Sequence, residues 1–230
     1  MKLVSLIIIG LSAGFALSAS AGNITGTVKA EGKAGAQPSS ADGKYDSRKF
    51  KFIERVNYEE LRDFVVYIDG PIAGLTNAPK TLSVDTRRVN QKGAVFIPHV
   101  LPIMAGTTVE WPNNDDIFHN VFSMSESNPF DLDLYKNPTI KKWTFKNPGR
   151  VDVFCSIHAN MNCVVLVLQN PYFALVSQAG RFAITNVPAG TYKLKAWHER
   201  LPTLTQEIAV PESGDAKVDL VLGIKNLPKQ

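Results

Sequence analysis

Residues 151–168 read Val151-Asp152-Val153-Phe154-Cys155-Ser156-Ile157-His158-Ala159-Asn160-Met161-Asn162-Cys163-Val164-Val165-Leu166-Val167-Leu168. Two β-branched, apolar runs flank a short polar loop. One strand is expected to end at Phe154 and the next to start near Cys163. The loop carries a thiol, an imidazole and a thioether as Cys-x2-His-x2-Met. A tight connection between strands can turn all three side chains towards one point.

Working outward, the same strand signature recurs along the chain. It appears at residues 23–28, 64–68, 107–111, 142–145, 182–184, 192–197 and 218–222. Fourteen prolines and sixteen glycines punctuate these runs. Asn57-Tyr58-Glu59-Glu60-Leu61-Arg62 alone reads as a helical turn. The fold class is therefore all-β, with sandwich or barrel layers built from many short strands. The segment from about Gly32 to Lys51 is rich in Gly, Ser, Asp and Lys and reads as a long surface loop.

Composition narrows the function. Hydrophobic residues make up 44% and charged residues 20%, which a globular chain can bury and a disordered one lacks. The net charge of +4 is too weak to imply nucleic acid. Lys44, Arg48, Lys49, Lys51 and Arg55 are interleaved with Asp46, Glu54, Glu59 and Glu60, as on a solvated loop; a docking patch for an acidic partner is the alternative. The N-terminus has Lys2, an apolar stretch from Leu3 to Leu17, and Ala19-Ser20-Ala21 before Gly22. Residues 1–21 read as a secretory signal peptide, with an uncleaved anchor as the alternative. No cysteine follows the apolar stretch for lipidation, and no later run reaches the ~20 apolar residues of a spanning helix. The protein is expected to be exported or periplasmic, with no membrane span after cleavage.

A second imidazole, His119, lies in Trp111-Pro112-Asn113-Asn114-Asp115-Asp116-Ile117-Phe118-His119-Asn120-Val121. Two His, one Cys and a weaker Met form the trigonal set expected of one mononuclear copper ion that cycles between Cu(I) and Cu(II). Zinc would favour four firm ligands, and Met is a poor one for it. Cys163 could instead pair with Cys155 in a disulfide, the default for an even count in an exported chain. The preferred reading makes Cys163 a small buried hydrophobe. Met161 could be core filler rather than a ligand. His99 and His198 read as surface or hydrogen-bonded histidines, not as a second metal site.

Two resemblances sharpen this. Phe96-x-Pro98, Gly106-x-x-Val109-x-Trp111-x-Asn113, His119-Asn120-Val121 and Cys155-x2-His158-x2-Met161 stand in the order of the cupredoxin family. Residues 85–169 resemble a plastocyanin- or amicyanin-like Greek-key β-sandwich with the shortest type of ligand loop. The resemblance implies His119, Cys155, His158 and Met161 as ligands. It implies Asn120 as the residue that ties the two ligand loops by bonding near Ser156. Phe118 departs from it, since many members have Pro before the first His. By the same resemblance His158 would reach the surface in an apolar patch flanked by Ile157 and Ala159. A periplasmic redox protein such as a cytochrome or a dehydrogenase would dock there.

Gly180-Arg181-Phe182-Ala183-Ile184 with Val187-Pro188-Ala189-Gly190-Thr191-Tyr192-Lys193-Leu194 resembles the smaller carboxypeptidase regulatory-like (transthyretin-like) β-sandwich. Its opening strands would lie near residues 24 and 66. That places residues 22–75 plus 170–226 in one discontinuous domain with the cupredoxin domain inserted. Two consecutive domains are the alternative. Pairing of strand 24–28 with the cupredoxin segment would exclude insertion.

A metal closed in by four protein ligands leaves no position for substrate. The chain also lacks a nucleophile elbow, a phosphate loop or a paired-carboxylate motif. The protein is expected not to be an enzyme but a type 1 (blue) copper protein that transfers single electrons. A copper carrier or store with the same ligands, and a structural or carbohydrate-binding sandwich with a vestigial site, are the alternatives.

Overall fold

The computed structural model describes residues 21–32, 57–72 and 87–223. Residues 1–20 of the proposed signal peptide, most of the Gly32–Lys51 loop and its basic residues lie outside the described residues. The strands run, in chain order, β1 (Ala21–Glu31), β2 (Val65–Ile68), β3 (Arg87–Arg88), β4 (Asn90–Gln91), β5 (Phe96–Ile97) and β6 (Val100–Met104). There follow β7 (Thr107–Pro112), β8 (Phe122–Ser123), β9 (Phe130–Asp131), β10 (Ile140–Phe145), β11 (Gly149–Phe154) and β12 (Asn162–Leu168). The last are β13 (Phe173–Leu175), β14 (Arg181–Pro188), β15 (Gly190–His198), β16 (Leu201–Val210) and β17 (Asp215–Gly223). Among the described residues a single 3-10 turn, Tyr58–Glu60, is capped by the Asn57 side chain, which accepts from the Glu59 amide at 3.2 Å. The chain is all-β, as its pattern predicts.

Four main sheets stack in layers. Their strand orders are β14-β1-β17, β13-β2-β15-β16, β6-β12-β11-β8-β9 and β10-β7-β3, with β4 and β5 as a small ribbon. Strand β1 pairs antiparallel with β14 and parallel with β17, far along the chain, and with no strand of the 87–168 segment. Cross-strand bonds from Asn23 to Asp215 (2.9 Å) and from Thr27 to Asp219 (2.6 Å) set the parallel register. The Pro188-Ala189-Gly190 turn carries the chain from one sheet to the next, since β14 pairs with β1 while β15 pairs with β2 and β16.

Three apolar layers fill the gaps. Ile24, Val66, Ile184, Leu194 and Leu220 belong to the first, and Val109, Trp111, Phe145, Val153 and Val165 to the last. Between them lies a smaller one made of Val65, Val100, Val164, Leu166, Leu168 and Trp197. This middle layer explains why β12 reads as an unbroken apolar run. Successive side chains of a strand point to opposite faces. Cys163, Val165 and Val167 face one core, while Val164, Leu166 and Leu168 face the other. A strand buried on both faces has no polar side to present. At the rim of the junction, His99 Nε2 lies 2.9 Å from Glu199 Oε2, and the Arg150 guanidinium sits 5.8 Å from the Trp197 ring centre. His198 is buried, accepts from the Arg200 amide at 3.1 Å and packs on Phe64. Both histidines have hydrogen-bonding partners.

Tyr67 on β2 packs against the middle layer. Burial, and then the nearby Asp69 carboxylate, push its phenol up to about 12 from 10.0. The folded state therefore favours the protonated phenol. That stabilisation is complete below pH ~10 and is lost as the pH rises towards ~12. Chemical denaturation across pH 9–12 should show a loss of stability over this window. Tyr67→Phe should make it shallower.

Candidate metal centre

The site forms where the loops at one end of the β10-β7-β3 and β6-β12-β11-β8-β9 sheets meet. Cys155 follows β11 directly. Its amide donates to the Met161 carbonyl at 3.1 Å, and the Met161 amide donates to the His158 carbonyl at 3.0 Å. These bonds close the Cys-x2-His-x2-Met segment into a tight turn before β12. His119 comes from the connection between β7 and β8. Two backbone bonds with Tyr135 anchor it, at 3.0 and 2.8 Å. His119 is 0% and Met161 1% exposed; Cys155 is also buried, and His158 is partly open to solvent.

The geometry brings three of the expected ligands together. His119 Nδ1 lies 3.0 Å from His158 Nδ1, and Cys155 Sγ lies 3.6 Å from the same atom. The three ligand atoms are all within 4.8 Å of one another. Bonds of about 2.0–2.1 Å from nitrogen and about 2.3 Å from sulfur, at trigonal or tetrahedral angles, require N–N separations of about 3.3–3.6 Å and N–S separations of about 3.5–3.8 Å. The N–S distance falls in that range and the N–N distance a few tenths short of it. Met161 packs in the same core as Cys155. The residues present therefore fit a single ion of the soft-to-borderline kind that takes thiolate and imidazole together. Both cysteines are free. Cys163 lies one strand further in, and burial, followed by Asp152, raises its thiol far above the ordinary range.

Hydrogen bonds around the ligands hold them in place. Asn120 Oδ1 accepts from the Ser156 amide at 2.9 Å, and the Asn120 amide points at Cys155 Sγ at 3.5 Å. The Asn120 side chain is itself oriented by Asp131, to which its Nδ2 donates at 2.7 Å. The two loops are thus tied at the thiolate. Asn120→Ala removes the tie, and a net hydrogen bond is worth about 1 kcal/mol. Thermal denaturation of the metal-free protein should report a loss of about 1–2 kcal/mol, two bonds being removed.

On the far side of His119, its Nε2 lies 2.9 Å from Asp115 Oδ2. Asp115 also accepts from the Gly93 and Ala94 amides at 2.8 and 3.0 Å. Burial works against its charge, but those amides and His119 outweigh it and hold the carboxyl down to about 2. Sequence reasoning did not single out Asp115 or Asp131. Asp115 stands in an irregular segment, where periodicity says nothing about direction, and its amide donors come from a loop some twenty residues earlier.

Ile157 and Ala159 are exposed beside His158, as are Ile117 and Phe118 just before His119. Leu134, next to the residue that pairs with His119, is exposed as well.

No family model matches the chain, and no curated protein matches it. Among solved structures, the chain is similar to a Cu-containing nitrite reductase (NirK) from Thermus scotoductus SA-01, with 29% identity over 36% of this chain and 22% of that one, at a TM-score of 0.35. It is similar to a purple cupredoxin from Nitrosopumilus maritimus, with 25% identity over 35% of this chain and 98% of that one, at a TM-score of 0.32. It is similar to a reduced amicyanin mutant, with 23% identity over 36% of this chain and 83% of that one, at a TM-score of 0.34. The matched segment spans about a fifth of the nitrite reductase. At TM-scores of this size none of these likenesses assigns a function to the chain.

Proposed function

We propose that this is an exported type 1 copper protein that passes single electrons between redox partners and is not itself an enzyme. The observation that carries the reading is the convergence of one ring nitrogen each of His119 and His158 with Cys155 Sγ, all within 4.8 Å of one another, at a largely buried point. In this reading His119, Cys155 and His158 would hold one copper ion, with Met161 as a weaker fourth ligand. Copper supplies a one-electron couple there. The chain's own part is to keep the ligands in one arrangement for both oxidation states. The Asn120–Ser156 bond, the His158–Met161 turn and the β7–β8 connection do this. Burial excludes water and leaves no open position for a substrate.

His158 is the one partly exposed member of the three, so it is the natural point of electron entry and exit. Ile157 and Ala159 beside it form the docking patch, and Ile117, Phe118 and Leu134 can extend it. Small apolar patches suit the weak, brief complexes of redox partners. A periplasmic cytochrome or dehydrogenase fits that description. Among the described residues no helix is long and apolar enough to cross a membrane. We read residues 85–169 as a cupredoxin unit inserted in a carboxypeptidase regulatory-like sandwich formed by residues 22–75 and 170–226. The pairing of β1 with β14 and β17 supports that arrangement.

The partial exposure of His158 also favours a second reading, a copper carrier or store. Copper-loaded protein reduced beside a Cu(I) chelator separates the two. An electron carrier keeps its metal through repeated cycles. Rapid transfer to the chelator on reduction would replace the first reading with the second.

A further inference from the structure

We propose that Asp115 is a positioning residue that fixes the His119 ring so that Nδ1 faces the metal, and that its charge favours the oxidised ion. The proposal rests on the copper reading above. The Asp115 carboxylate is an acceptor only, so the His119 Nε2 at 2.9 Å must carry the proton. In a neutral imidazole that leaves the lone pair on Nδ1, the atom 3.0 Å from His158 Nδ1. The partner of the distal nitrogen sets which nitrogen binds the metal.

The carboxylate is held from behind. Gly93 and Ala94 donate their amides to its two oxygens, at 2.8 Å to Oδ1 and 3.0 Å to Oδ2. The Asp115 amide donates to Asn113 Oδ1 at 2.9 Å, which fixes the turn. Lys92 Nζ stands 3.8 Å from Oδ1 and offsets part of the charge from the solvent side. His119 is wholly buried, so no water competes for its Nε2. A full negative charge one ring away from the ion stabilises the dipositive state more than the monopositive one. It also strengthens the imidazole as a donor.

The test uses the full chain, metal-free and loaded with Cu(II). In the metal-free protein, nitrogen-detected NMR should place the His119 proton on Nε2. Asp115→Asn removes the charge and leaves one acceptor oxygen for the Gly93, Ala94 and His119 N–H groups in place of two, so the preference for the proton on Nε2 over Nδ1 should weaken. Loss of such a partner weakens metal binding about 10–100-fold. If the loss falls on Cu(II), the midpoint potential rises by about 60–120 mV, at ~59 mV per tenfold for one electron. Asp115→Glu, which keeps charge and acceptor, should restore much of the shift. Asp116→Asn removes an equal charge from the exposed neighbour and should move the potential far less. An unchanged tautomer and potential in Asp115→Asn, or an equal shift in Asp116→Asn, would overturn the proposal. If Asp115→Asn does not fold, the wild-type tautomer decides: Nε2–H supports the proposal and Nδ1–H overturns it. If the wild type binds no copper, the copper reading falls and the tautomer still decides the role of Asp115.

Discussion

Cys155→Ser is expected to abolish the intense visible absorption of the copper-loaded protein, and Cys163→Ala is expected to leave it in place. The two thiols are eight positions apart in sequence and both are buried, yet their surroundings differ. Cys155 stands at the end of β11, with Sγ 3.6 Å from His158 Nδ1 and the Asn120 amide 3.5 Å away. Cys163 stands inside β12, pairs with Val153 across the ladder and packs among Val151, Val165 and Trp111. Its thiol is held protonated by burial, whereas the metal ligand must be a thiolate. The band arises from a thiolate–Cu(II) bond, so serine at 155 removes it altogether. Colour that survives in Cys155→Ser and vanishes in Cys163→Ala would mean that the wrong thiol has been assigned.

The second large effect concerns the layer between the two middle sheets. Leu166→Asp should lower stability by about 3 kcal/mol or more, since a buried leucine is lost and a charge takes its place. Leu166 is 5% exposed and lies in one cluster with Val65, Val100 and Trp197. Arg150, its neighbour across the ladder, is already paired with Asp152 and set over the Trp197 ring, so the new carboxylate must compete for it. One strand over, on the same face, Asp152 is half-buried and paired with Arg150 at 2.7 Å. A carboxylate is thus tolerated where solvent reaches and not where the sheets meet. Urea denaturation at neutral pH measures the difference. A loss under about 1 kcal/mol, the usual figure for an exposed site, would mean that the sheets do not bury this face.

Much of the fold is legible because short alternating runs bounded by Gly and Pro leave few options. The runs at 23–28, 64–68, 107–111 and 142–145 all fall in or beside strands. β6 and β16 were not singled out, and both contain a proline, Pro102 and Pro202. Both are edge strands, where a missing donor costs no ladder bond. The parallel partnership of β1 with β17 left no local trace, since register across nearly 200 residues depends on packing. Val164-Val165-Leu166-Val167-Leu168 announced a strand, but only the third apolar layer shows why every position is apolar.

At the site, the meeting of Cys155 and His158 is legible because a thiol and an imidazole fall within four residues of one turn. His119 follows from its place beside Asn120, whose carbonyl reaches the Ser156 amide at 2.9 Å. Asp115 and Asp131 are not legible. Asp115 acts from an irregular loop, whose direction is set by tertiary bonds such as those from Gly93 and Ala94, and Asp131 from the two-residue strand β9, too short to show a period.

One copper ion is proposed to sit among His119, Cys155, His158 and Met161 and to cycle without leaving. An optically monitored redox titration of the copper-loaded protein decides this. An intense visible band is expected in the oxidised protein. The band should bleach on one-electron reduction and return in full on reoxidation, at a single midpoint potential and with one copper per chain throughout. A colourless Cu(II) form, or a band that fails to return because the metal has been lost, would contradict it.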